Sequence, residues 1–162
     1  MYLPKHFAED RIEVLHEAIR QIELATLVTL GSGGLVATHL PVILDPSAGQ
    51  FGTLYCHVAR ANPQWRDHAT DTQALAIMLG PHTYISPRWY ETKRETGRVV
   101  PTWNYLAVHV YGTLRTFDEP DRLRQHVEQL TDHHEANHPY PWQVSDAPTD
   151  FVEGLLKGIV GL

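Results

Sequence analysis

From Val99 to Phe117, VVPTWNYLAVHVYGTLRTF, residue character alternates for longer than anywhere else in the chain. A β-strand sends successive side chains to opposite faces. Leu106, Val108, Val110 and Leu114 therefore fall on one side, and Trp103, Tyr105, His109 and Tyr111 on the other. The first face suits a core, while the second offers aromatic and polar groups. Gly112 permits a bulge or bend, which favours a long curved strand over a flat one.

The partners of this strand can be read in chain order. Asp10 and Glu13 have capping-box spacing, and Ile12, Leu15, Ile19 and Ile22 recur at helical spacing, which predicts an amphipathic helix from Asp10 to Ile22. Leu24 to Leu30 and Leu35 to Leu44 flank the turn Gly31 to Gly34 and form a hairpin. The turn Asp45 to Gly49 leads into a third strand, Phe51 to Ala59. Pro63 opens a short helix through His68, and Ala74 to Leu79 is a fourth strand that Gly80 and Pro81 break before Thr83 to Ser86. Pro87 to Arg98 reads as an exposed loop with helical turns. Beyond the long strand, Asp118 caps a helix with Pro120 in its first turn and Leu123, Val127 and Leu130 on one face; Pro139 and Pro141 end it. The last helix starts near Pro148 and carries the apolar stripe Phe151, Leu155 and Ile159, with Val152 and Leu156 beside it. About six strands joined mostly by short turns predict an α+β fold, mainly antiparallel, in one domain covering residues 1–162.

Charge and cysteine content narrow the function. The formal net charge is -6 and no Lys/Arg run is present, which weakens DNA binding driven by bulk charge. The single cysteine, Cys56, excludes an internal disulfide and shares a strand face with Leu54 and Val58, so it reads as a buried structural thiol. Neither a signal peptide nor a long apolar span is visible, which makes a cytoplasmic protein the expectation.

His134-Glu135-Ala136-Asn137-His138 is a literal HExxH. Pro139 disfavours a helical His138, the segment is polar, and no third ligand is specified downstream, so the motif is read as a chance match and no metal is expected. His39, His57, His82 and His109 each read as packed or hydrogen-bonded strand histidines. No Gly-x-Ser-x-Gly, Walker loop, GxGxxG or CxxC pair occurs. What remains is spread over turns and strand ends: THLP at Thr38, HVARANP at His57, YISP at Tyr84, Trp89-Tyr90 and VPTWNY at Val100. These segments hold the aromatic walls, amide and hydroxyl groups and cations that a flat heteroaromatic ligand with a phosphate requires.

At these residues the chain resembles the PaiB-type family of FMN-binding negative transcriptional regulators, members of the split-barrel flavin-binding group. The match runs through MYLPKHF, ATLVTL, ATHLP, GTLYCHVARANPQW, GPHTYISPRWY, VVPTWNYLAVHVYG and PWQVSDAPTDF to IVGL. The resemblance implies a six-stranded split β-barrel with flanking helices, usually a homodimer with FMN between subunits. It places Thr38 and His39 along the flavin, and His57, Arg60 and Asn62 toward its phosphate. Arg60 is the first choice for phosphate contact and Lys93 the second cation, with Trp103 as a ring wall and Asn104 at the polar edge. Family members usually continue past IVG into another strand and a segment resembling KLSQN, whereas this chain stops at Leu162. A missing tail of that kind would reduce FMN affinity if it helps close the pocket. The implied function is transcriptional regulation, with DNA contacted directly or through a partner. The alternative is a flavin- or haem-dependent oxidoreductase using His39, His57 or His109, and a third reading is a structural dimer whose pocket has lost its ligand.

Overall fold

The long alternating segment forms β7, Thr102–Gly112, paired antiparallel along nearly its whole length with β6, Ala74–Ile85, in a computed structural model that describes residues 1–162. The hairpin β1, Leu24–Gly31, and β2, Gly34–Pro41, completes a four-stranded antiparallel sheet in the order β2-β1-β6-β7. Two small antiparallel pairs lie outside it. One joins β3, Ile43–Asp45, to β4, Thr53–Tyr55; the other joins β5, His57–Ala59, to β8, Ile159–Gly161. Four helices complete the chain: α1, Ile12–Ile22; α2, Thr92–Glu95; α3, Pro120–Glu135; and α4, Thr149–Leu156. The fold is α+β with antiparallel sheets.

The core follows the pleat. Ala25 and Leu27 of β1, Leu40 of β2, Met78 of β6 and Val108 of β7 are buried together with Ile19 of α1. Val58 and Val160 bring the β5–β8 pair into the same cluster. A smaller cluster of Phe117, Leu123, Val144, Val152 and Leu156 holds α3 and α4 together. Phe117 bridges to Gly161, and its ring passes so close that a Cβ on Gly161 would lie 2.1 Å from Cζ, so only glycine fits there.

Several elements differ from the sequence reading for identifiable reasons. The chain has eight strands in three hydrogen-bonded sheets rather than about six. The expected strand Phe51 to Ala59 is divided at Cys56, whose N–H donates to Leu162 O at 3.1 Å and whose carbonyl accepts from Leu162 N at 2.8 Å. The segment thereby passes from one partner strand to another. Conversely, Gly80 and Pro81 do not end β6; they form an irregularity between Leu79 and His82, where a proline without an N–H is tolerated. Gly112 ends β7 rather than bending it.

Neither predicted aspartate cap forms. Arg11 is the N-cap of α1, and its N–H donates to Glu9 instead; Glu119 precedes α3 without a side-chain cap, while Asp118 pairs with Arg60. On α4 the buried residues are Val152 and Leu156, leaving Phe151 and Leu155 exposed, and Ile159 belongs to β8.

Candidate functional site

The four-stranded sheet has one covered face and one open face. Opposite the core, the register aligns His39, Thr26, Ile77 and His109 in one cross-strand row. His39 Nδ1 and Thr26 Oγ1 are 2.8 Å apart. The alternate face of β7 adds Tyr111, Tyr105 and Trp103, all about half exposed. Beyond the irregularity in β6, Tyr84 lies opposite Trp103 and His82 opposite Tyr105. The His82 ring stacks on Trp103 at 5.8 Å and 27°, and Tyr84 approaches the same indole at 6.3 Å. Large aromatic rings held on an exposed ribbon form a surface suited to a flat ligand or a second protein.

Asn62 builds a polar corner beside this sheet. Its Oδ1 accepts from Gln64 N at 2.9 Å, capping the short turn Pro63–Trp65, while its Nδ2 donates to Thr38 Oγ1 at 3.1 Å. Thr38, Asn62 and the β1–β2 hairpin are thus fixed relative to one another. Gln64, which sequence reasoning missed, anchors the corner from below. Fully buried, it donates through Nε2 to Leu27 O and Thr29 Oγ1, both at 3.1 Å, and its Oε1 has no partner. The sequence signal was the Asn-Pro turn itself, which leaves the next side chain pointing into the protein.

Arg60 occupies a different position. Nε donates to Lys157 O at 2.8 Å, Nη2 to Ile159 O at 3.0 Å, and Nη1 pairs with Asp118 at 3.3 Å. The guanidinium therefore ties β5 to the C-terminal segment and retains one N–H on each terminal nitrogen. Lys93 lies on α2, exposed and without an ion pair. Trp103 and Asn104, being adjacent on a strand, project to opposite faces.

His39 pairs with Thr26 of β1, while His57 pairs with α3. Its Nδ1 lies 3.1 Å from Nε2 of His126 on α3, so one nitrogen donates and the other accepts. Burial lowers the pKa of both imidazoles. That of His126 falls to about 4, through burial first and then the neighbouring His57. The pair is neutral at pH 7. His126 also lines a cleft of about 710 Å³ between the β3–β4 hairpin and α3, together with Asp45, Tyr55, Arg122 and Gln129. His126 was not singled out in the sequence, because its partner is distant in the chain.

Two remaining motifs are accounted for locally. Cys56 is buried, and burial pushes its thiol up to about 12, which keeps it protonated and unreactive. The HExxH segment does not share one helix face, since α3 ends at Glu135. Glu135 accepts the N–H of Trp142 at 3.0 Å and so anchors the following loop.

Comparison with known proteins adds a family. The model of the family described as "Putative FMN-binding domain" matches residues 1–162. A Bacillus subtilis protein named "Protease synthase and sporulation protein PAI 2" is 34% identical over 161 residues, covering 99% of this chain and 74% of that protein. The uncharacterized protein AN0679 of Emericella nidulans is 34% identical over 197 residues, covering 100% of this chain and 78% of its own length. Among solved structures, the conserved hypothetical protein Rv2991 from Mycobacterium tuberculosis superposes with a TM-score of 0.65 at 12% identity, covering 99% of this chain and 82% of that one. The FAD and heme binding protein from Mycobacterium smegmatis gives 0.62 at 18% identity, covering 95% and 65%. At such low identity these two structures speak to the fold alone. No helix is long and apolar enough to cross a membrane.

Proposed function

We propose that this chain, which belongs to the family described as "Putative FMN-binding domain", binds flavin mononucleotide on the open face of its four-stranded sheet and acts as a regulator of transcription. The observation that carries the binding reading is the exposed aromatic ribbon of Trp103, Tyr84 and His82, on the same sheet face as the His39–Thr26 pair. The residues present fit such a ligand. Trp103 would supply a wall and His39 with Thr26 hydrogen-bonding groups on this face, Thr38 and Asn62 would brace β2 from its other face, and Lys93 is an exposed cation without an ion pair. Arg60 would hold the phosphate with the N–H groups it keeps, while it ties the C-terminal segment to β5. His57, which pairs with His126, and Asn104, on the opposite face of β7, lie outside this face.

A second copy completes the site. Only 22 of 162 residues are buried, and Trp103, Tyr105 and Tyr111 each stay about half exposed; a homodimer across this face would cover them and assemble the sheets into a split barrel. Bound flavin would supply a redox-active isoalloxazine, while the chain's own residues position it and exclude water. A regulatory role accords with the 34% identical Bacillus relative, named "Protease synthase and sporulation protein PAI 2". The charge of -6 favours action through a partner over direct DNA contact. A cytoplasmic location accords with this role.

The test is the absorption spectrum of purified protein incubated with FMN and desalted. Retained flavin bands in wild type, lost in Trp103→Ala and in Arg60→Ala with the fold intact, support the assignment. A desalted wild-type protein without flavin overturns it, and steady NAD(P)H turnover by the loaded protein would favour the oxidoreductase reading.

A further inference from the structure

Sequence reasoning set aside His134-Glu135-Ala136-Asn137-His138 as a chance match. The structure brings together a different set of donors at the end of α3. Glu23, between α1 and β1, lies against both His133 and His134: Oε1 is 2.8 Å from His133 Nε2 and Oε2 is 3.8 Å from His134 Nδ1. All three donors lie within 4.8 Å of one another. We propose that Glu23, His133 and His134 form a site for a divalent first-row transition metal ion such as zinc.

The donor chemistry and spacing support this. Two imidazoles and one carboxylate are the set used by catalytic zinc and by non-haem iron, with further positions left open. Metal–donor bonds of about 2.0–2.2 Å place tetrahedral donors about 3.3 Å apart. The Glu23 contacts of 2.8 and 3.8 Å run to its two different oxygens, and the three donor atoms lie within 4.8 Å of one another, so side-chain rotation brings them together to seat an ion.

The backbone at Glu23 is also held in place. Its φ of 61° is the only positive value at a non-glycine residue, a conformation that glycine would adopt more easily. The Glu23 N–H donates to Ile19 O at 3.0 Å and its carbonyl accepts from Val42 N at 2.8 Å, so the residue closes α1 and ties it to the strand end beyond β2. A glycine would serve that turn; a glutamate brings a carboxylate to the histidines.

All three residues are about 40% exposed. At that exposure a carboxylate–imidazole contact contributes little to folding, but an ion has free access. His133 also lines the 710 Å³ cleft, so an open coordination position would face water or a ligand there. A bound ion would pin the end of α3 to the α1–β1 corner.

The full chain, stripped of metal, is titrated with Co²⁺ and followed by its visible d–d absorption, with Zn²⁺ as competitor. One ion per chain is expected, displaced by zinc, together with a zinc-dependent rise in the thermal midpoint. Glu23→Gln and His133→Asn should each weaken binding at least about tenfold, while His138→Ala should leave it unchanged. Absence of binding overturns the site. So does binding that survives both Glu23→Gln and His133→Asn, or that is lost in His138→Ala, since the ion would then sit elsewhere. Circular dichroism of the metal-free variants separates ligand loss from unfolding. The experiment requires no flavin, so its outcome is independent of the FMN reading.

Discussion

The two halves of the β6–β7 ribbon share one antiparallel ladder and have opposite surroundings. On the inner half, Met78 lies opposite Val108 and both are buried; on the outer half, Tyr84 lies opposite Trp103 and both are about half exposed. Backbone pairing is common to the two halves, so it does not explain the difference. What differs is what packs on the side chains: Ile19 of α1 and Val58 and Val160 of the β5–β8 pair share a cluster with Met78 and Val108, whereas Tyr84 and Trp103 stay about half exposed. An isolated two-stranded ribbon is marginal in water. The ribbon thus extends beyond the core and leaves its aromatic end exposed.

Removing the most enclosed side chain should have the largest effect. Met78 is fully buried, and Met78→Ala should cost about 2–5 kcal/mol of stability, read as a lower urea midpoint with an unchanged slope. A loss below about 1 kcal/mol would mean that the inner half is not a close-packed core.

Enclosure also makes one histidine a source of pH dependence. His126 is buried and its folded pKa is about 4, against about 6.5 when unfolded. Between those values the unfolded chain binds more protons, so stability is complete above about pH 6.5 and falls as pH drops toward 4. On the order of 2 kcal/mol should be lost across that window, and His126→Gln should flatten the slope. An unaltered pH profile in the variant would place the titration elsewhere.

Trp103 tests the outer half. Trp103→Ala should leave urea stability of the monomer within about 0.5 kcal/mol, yet lower FMN retention at least tenfold, about 1.4 kcal/mol. Equal losses of stability and retention would instead make the outer ribbon part of the core.

The inner half was legible in the sequence and the outer half only partly so. Alternation identified Val108 and Val110 as core residues because the pleat alone decides a face once one side is apolar. It also grouped Trp103, Tyr105 and Tyr111, but alternation carries no information about what lies opposite a face. Local signals misled where a distant segment decided the outcome: Leu162 divides the third strand at Cys56, and Asp118 serves Arg60 rather than α3. The His57–His126 pair and the Glu23–His133 contact join residues far apart in the chain, and no spacing rule reports them. The family motifs pointed to Arg60 and Asn62, whose side chains the structure shows fastening the C-terminal segment and the Thr38 corner.

The smallest effect is expected at the junction between the two halves. Gly80 precedes Pro81 within the irregularity that separates inner from outer pairing. A Cβ there would lie 3.0 Å from Leu106 Cδ2 and 3.2 Å from Ile22 Cδ1, so both side chains must yield by a few tenths of an ångström. Each contact is the end of a flexible side chain, and Leu106 is itself 42% exposed, so it can move. The backbone at Gly80 is not in the left-handed region, and alanine narrows the unfolded ensemble, which favours folding by about 0.4–1 kcal/mol. The two effects oppose each other, so Gly80→Ala should change stability by less than about 0.5 kcal/mol. Gly80→Val cannot be absorbed in the same way and should cost about 1–3 kcal/mol by pushing the end of α1 off β6. If alanine alone costs as much as Met78→Ala, the junction is as tightly packed as the core. The boundary between the two halves would then lie further out, at His82 and Tyr105.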